Sequence, residues 1–160
     1  MGVAGSGKSA VGEALAARLG AVYVEGDRLH PPANIAKMSS GVPLTDADRW
    51  PWLATVGATL AGVTGTVIVG CSALKRSYRD RIRAEAEGPV TFVHLRGSRE
   101  LIATRMSARA GHFMPLSLLD SQFAALEPPA PAENAITVDI DRPLSEIVAL
   151  IAHHFAERAA

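Results

Sequence analysis

Gly2-Val3-Ala4-Gly5-Ser6-Gly7-Lys8-Ser9 spells the pattern G-x-x-x-x-G-K-[ST], a loop built to hold phosphate. Its glycines let the backbone turn tightly and approach an anion. The amides from Gly5 to Ser9 face the positive end of whatever helix follows. Lys8 reaches for the outer phosphates, and the Ser9 hydroxyl is placed for magnesium. A helical pattern begins at once: Val11, Leu15 and Leu19 share a face, and Gly20 stops them.

A loop of this kind normally leaves a buried parallel strand. Only Met1 precedes Gly2 here. The expectation is a chain cut from a longer parent, or an unusually unstable one, with two internal sheet edges and an apolar slot.

Outward from the loop, short apolar strands alternate with helices. Strands are expected at 21–25, 66–70, 90–95 and 135–139. This alternation predicts an α/β fold in three layers, a parallel sheet covered on both faces. Ligands in such folds sit at the carboxyl ends of the strands. Asp27 follows the first of these strands, and two roles are open to it: taking a proton from an acceptor hydroxyl, or capping a turn.

Pro31 and Pro32 suit the first turn of a short helix, with Ile35 and Met38 as its apolar positions. Thr45 and Asp48 fit a capping box before a helix anchored by Trp50, Leu53, Val56 and Leu60. Pro51 is tolerable there only if the helix restarts. The tryptophans read as packing. Arg49 is either a solvated charge or an anion contact. No acid follows the strand at 66–70, where Cys71 reads as a small buried group. Lys75 and Arg79 are four apart on a basic helix and so share a face, either solvated or gripping an acid. Arg105 and Arg109, before a glycine-containing loop at Gly111, suit a mobile lid over phosphates. His112 in that loop is a ligand contact or a plain exposed histidine. No close ligand triad points to zinc. Pro143 opens a closing helix with Leu144, Ile147, Val148, Ile151 and Phe155 on one face.

Composition narrows the class. At 160 residues the chain makes one domain, 1–160, and 48% apolar content argues against disorder. Sixteen acids balance sixteen Lys plus Arg, which does not suit a nucleic acid or anionic membrane partner. A single cysteine excludes an internal disulfide and fits a reducing, cytoplasmic setting. No run of eighteen apolar residues suggests a membrane span. The size favours a small-molecule phosphotransferase using a magnesium nucleotide.

In sequence order the chain resembles the small gluconate kinases. The resemblance rests on the loop, then Glu25-Gly26-Asp27-Arg28-Leu29-His30-Pro31, Asn34, Lys37-Met38, Pro43-Leu44-Thr45-Asp46, Asp48-Arg49 and Trp52-Leu53. Cys71-Ser72-Ala73-Leu74-Lys75-Arg76, Tyr78-Arg79-Asp80, Arg109-Ala110-Gly111-His112-Phe113-Met114 and Ser121-Gln122-Phe123 continue it. It implies a nucleoside-monophosphate-kinase-like fold lacking its first, central strand, and ATP-dependent phosphorylation of D-gluconate at the 6-hydroxyl. It implies an acceptor-binding region at about 30–62 and a lid at about 105–123. Lys8, Asp27, Arg105 and Arg109 become catalytic candidates. Gly2, Gly5, Ser6, Gly7, Lys8, Ser9, Ala10, Arg105, Arg109, Asp141 and Pro143 become nucleotide contacts, with Ser9 on magnesium. Asp27, His30, Arg49, Lys75, Arg79, His112 and Gln122 become acceptor contacts. A homodimer is implied, each subunit holding its own site. Glu25 stands where such kinases more often have Asp. A shikimate-type kinase of the same fold, or a nucleotide-binding protein without turnover, are the competing expectations.

Overall fold

The computed structural model describes residues 1–108 and 116–159. Helix α1 (Lys8–Leu19) leaves the loop directly. Gly7 caps it at φ 90°, a left-handed conformation that L side chains rarely adopt, and Gly20 closes it at φ 64°. Strand β1 (Val22–Glu25) runs into a 3-10 turn, Gly26–Leu29, which carries Asp27. Helices α2 (Pro32–Ser39) and α3 (Asp46–Gly62) follow, then β2 (Val67–Gly70) and α4 (Arg76–Ala86). The chain continues through β3 (Phe92–Arg96), α5 (Arg99–Ser107), α6 (Leu116–Ala125), β4 (Ala135–Asp139) and α7 (Leu144–Ala159).

The strands pair as two parallel ribbons. In one, Val22 lies opposite Val67 and Glu25 opposite Gly70. In the other, Phe92 lies opposite Ala135 and Arg96 opposite Asp139. Within each ribbon the carboxyl ends point the same way, and bonds from Met1 and Gly2 to Val93, Leu95 and Ser72 bring the ends of β2 and β3 to the loop. Helices α1 and α7 pack together, as do α3 and α4, and the strands lie between the two pairs. One core cluster joins Val11, Leu15, Leu95, Ile102, Ile147 and Ile151. The other joins Trp52, Leu53, Val56, Tyr78, Ile82 and Phe92.

The expected slot is present between β2 and β3. It is a cavity of about 620 Å³, walled by Val67, Val69, Phe92 and Val93, with Val11 and Ile82 from the helices. Met1 and Gly2 occupy only its end. The Met1 ammonium donates to Val93 O, Leu95 N donates to Met1 O, and Gly2 N donates to Ser72 O. These two residues thus bond to backbone on both sides, as the last rungs of a strand would. Burial, first of all, holds the Met1 ammonium down to about 5.

Two local expectations need correction. Helix α3 does not restart at Pro51 but runs through it. The proline lacks only the one N–H that would bond Ala47 O, and the packing of Trp52, Leu53 and Val56 holds the next turns. The Thr45–Asp48 capping box is formed as expected. In α2, Ile35 and Met38 are 47% and 44% exposed, whereas the polar Asn34 is buried. The helix is seated by hydrogen bonds: Asn34 Nδ2 donates to Asp48 O at 2.9 Å, and Lys37 Nζ pairs with Asp48 at 2.8 Å.

Candidate active site

The loop forms one wall of the site. Gly5 turns at φ 77°, and an added Cβ there would come within 2.6 Å of Met106 Cγ, so helix α5 closes directly on the loop. Ser6 is buried, and its Oγ has no hydrogen-bond partner among the described residues. Lys8 folds back over the loop, its Nζ donating to Gly2 O at 3.1 Å and Val3 O at 3.0 Å. Burial lowers its pKa, and the carboxylate of Asp27 is the largest opposing influence. Lys8 and Asp27, nineteen residues apart in sequence, are therefore within electrostatic reach of each other. Ala10 lies exposed in the first turn of α1.

Ser9 Oγ donates to Glu25 Oε2 at 2.5 Å, and Tyr23 OH donates to the same oxygen at 2.9 Å. A hydroxyl and a carboxylate are hard oxygen donors of the kind magnesium takes. Ser9 and Glu25 together fit that ion, and Glu25 supplies the acid that β2 lacks. Beyond β2, Cys71 is buried and unbridged, with burial pushing its thiol up to about 11. It has the inert character expected of a packing residue.

Asp27 is exposed in its turn and also faces His30. His30 stacks on Trp52, with ring centroids 4.0 Å apart and planes inclined by 16°. Trp52 in turn donates its Nε1 proton to Gly26 O at 2.8 Å, fixing the turn that carries Asp27. Asn34 Nδ2 lies 3.2 Å from His30 Nδ1. The same amide nitrogen donates to a carbonyl, so Nδ1 accepts and the neutral ring carries its proton on Nε2. Burial lowers the His30 pKa, which favours that neutral form.

The acceptor side is built from α3 and the segment before α4. Lys75 Nζ donates to Asp46 Oδ1 at 3.1 Å and to Oδ2 at 3.0 Å. Tyr78 OH donates to Asp46 Oδ1. Arg49 lies over the Tyr78 ring at 5.8 Å, and Lys75 at 5.4 Å. Arg49 also donates to Leu44 O. Arg49, Lys75, Tyr78 and Asp46 thus form one cluster.

Arg79 does not join it. Its side chain is fully buried and pairs with Glu133, Nε to Oε2 at 2.6 Å and NH2 to Oε1 at 2.9 Å. Its NH1 donates to Ala73 O and Leu74 O, both at 3.1 Å. The expected shared face with Lys75 fails because Lys75 is the extended cap before α4, not a helical residue. The four-residue rule needs both partners inside the helix. Arg79 instead supports the backbone that presents Lys75. Gln122 also stands apart from the acceptor cluster: its Oε1 accepts from Ala4 N at 2.7 Å, bracing the loop.

Arg105 NH2 donates to Ile140 O at 2.7 Å. This ties α5 to the exposed Asp141–Pro143 stretch, where Asp141 N donates to Asp139 Oδ1 at 2.9 Å. Arg105, Asp141 and Pro143 are therefore neighbours at the end of β4. Arg99 and Asp120 link α5 to α6 at 2.5 Å. Arg109 and His112 lie outside the described residues. The sequence had flagged Glu25 only as a departure, and it gave Asp46 and Tyr78 no role of their own. An acid and a phenol flanking two already suspected cations were the available signal.

A family model described as an AAA domain matches residues 1–129. A gluconokinase of Gluconobacter oxydans (strain 621H) is 47% identical over 158 residues, spanning 97% of this chain and 88% of its own. The thermosensitive gluconokinase of Escherichia coli (strain K12) is 45% identical over 153 residues, spanning 92% of this chain and 80% of its own. The crystal structure of a gluconokinase from Sinorhizobium meliloti 1021 superposes with a TM-score of 0.87 at 51% identity, covering 100% of this chain and 95% of that one. With the phosphate loop, the Asp27 turn and the Lys75 segment all set at the carboxyl ends of strands, the chain belongs to the gluconokinase family of AAA-domain phosphate-loop proteins.

Proposed function

We propose that this chain transfers the γ-phosphoryl group of ATP to the 6-hydroxyl of D-gluconate, releasing 6-phospho-D-gluconate and ADP. The observation that carries this reading is the placement of Asp27 between two fields. Asp27 is within electrostatic reach of Lys8 in the loop and of His30, His30 is in turn within reach of Arg49, and Arg49 and Lys75 share the Tyr78 ring. A polyol acid needs one cation for its carboxylate and polar groups for its hydroxyls, and this side of the site offers both.

The 6-hydroxyl oxygen forms its bond to the γ-phosphorus as the bond from that phosphorus to the β-bridging oxygen breaks. The electron pair leaves with ADP, and Asp27 takes the hydroxyl proton. Loop amides and Lys8 hold the donor phosphates. Arg105, with Arg109 from the lid, offsets the charge that develops. When bound, magnesium supplies charge neutralisation on the β and γ oxygens; Ser9 and Glu25 are the residues that would hold it. Neutral His30, aligned by Asn34 and Trp52, orients an acceptor hydroxyl. Asp141 and Pro143 border the adenine. His112 closes the acceptor side with the lid, while Arg79 and Gln122 act from behind as supports.

The same proposal makes the working protein a cytoplasmic homodimer with a complete site in each subunit. The test is formation of 6-phosphogluconate from ATP, with gluconate, shikimate and no acceptor run side by side. Turnover on gluconate alone is expected. Turnover on shikimate, or nucleotide binding without any turnover, would overturn the reading.

A further inference from the structure

The carboxylate of Asp46 already sits where an acidic acceptor would place its own. It lies 3.0 Å from Lys75 Nζ, takes the Tyr78 hydroxyl, and is within electrostatic reach of Arg49. Its side chain is 47% exposed and that of Lys75 is 32% exposed, so solvent and solutes reach both. Asp46 is the first residue of α3, next to the Thr45 cap, and is not needed to complete the capping box. The one buried residue that leans on it is Tyr78, through its hydroxyl. Its partners are the very cations that the acceptor needs.

We propose that Asp46 is a resident anion that sets the affinity threshold for acceptors by holding Lys75 until a carboxylate with further contacts displaces it. This rests on the gluconate reading above. A half-exposed ion pair is weak and exchanges readily with solutes. A small anion such as acetate brings nothing beyond its charge, so it gains little by exchanging with Asp46. Gluconate brings the same charge and five hydroxyls, and the hydroxyl contacts drive the exchange. Asp46 therefore lowers the affinity of every carboxylate, but only a polyol acid recovers the loss. A role in positioning Lys75 for substrate makes the opposite forecast, because losing Asp46 would then weaken gluconate binding.

The sign of one measurement separates the two. Gluconate binding to the nucleotide-free chain would be measured by calorimetry for the unaltered protein, Asp46→Asn and Tyr78→Phe, with acetate as competitor and neutral D-glucitol as control. Asp46→Asn should bind gluconate up to about fivefold tighter, as the release of Lys75 from a weak pair allows. Acetate should compete at correspondingly lower concentration, and glucitol binding should not change. Tyr78→Phe, which loosens Asp46 without altering charge, should tighten gluconate binding by a smaller factor. It also decides the matter alone if Asp46→Asn does not fold. Unchanged or weaker gluconate binding in the folded variants overturns the inference. Failure of the unaltered chain to bind gluconate overturns the parent reading instead.

Discussion

Ser9 and Glu25 share a hydrogen bond of 2.5 Å between the first turn of α1 and the last residue of β1. It joins the hydroxyl proposed for magnesium to the carboxylate that ends β1, while β2 ends on Gly70. Glu25→Gln keeps the shape and removes the charge. Its magnesium requirement should rise about tenfold or more, in line with the loss of partners that orient metal ligands. Manganese binding to the nucleotide complex, read by paramagnetic resonance, checks this without relying on turnover. An unchanged metal affinity would remove Glu25 from the metal site.

Asp27→Asn should lower kcat by about 100-fold or more, the range for a positioned proton acceptor. ATP affinity should stay within a factor of about two, since the change leaves the loop intact. Lys8→Ala should instead weaken both nucleotide binding and transfer. Steady-state kinetics with a separate nucleotide titration distinguishes the two patterns. Full activity in Asp27→Asn would end its catalytic assignment.

The Arg79–Glu133 pair predicts an acid limit to stability. Hydrogen bonding from Arg79, first of all, lowers the Glu133 carboxyl from its usual 4.5 to about 2. A depressed acid adds stability that is complete above its unfolded pKa and is lost as pH falls through the folded one. The window is therefore about pH 4.5 down to 2. Glu133→Gln leaves a buried guanidinium unpaired and should cost about 3–5 kcal/mol. Chemical denaturation at pH 7 and at about pH 2.5 measures both effects, and the variant should lose this part of the acid dependence.

The slot between β2 and β3 predicts a gain. Five β-branched residues placed ahead of Met1 would continue its two backbone rungs into the cavity of about 620 Å³. They would also replace a buried ammonium with a peptide N–H at Val93 O. For a chain that starts at Met1, the unfolded amine binds a proton below pH 8 while the folded amine resists it down to about 5. Stability should therefore rise with pH across that window. The extended chain should melt several degrees higher and lack this contribution. Thermal melts of both forms from pH 5 to 8 would decide, and equal melting points would refute the strand reading of the slot.

Much of this was legible because the signals were local. The loop's spacing fixed the roles open to Lys8 and Ser9, and apolar periodicity found every strand to within two residues. What stayed hidden depends on contacts between distant segments. Ile35 and Met38 read as the apolar positions of α2, but α2 is held by Asn34 and Lys37 on Asp48, and polar seating leaves no hydrophobic pattern. Spacing placed Arg79 beside Lys75, because it could not show that the helix begins one residue after Lys75. Glu133, which claims Arg79, lies 54 residues on. Gln122 and Ala4 are 118 residues apart, a pairing no local pattern encodes.

That last bond couples two events usually treated separately. Ala4 belongs to the loop that would grip the donor, and Gln122 belongs to α6, which follows residues 109–115 directly. A swing of α6 away from the site must either break this bond or drag the loop with it. The position of α6 is thereby tied, through one amide, to the shape of the loop.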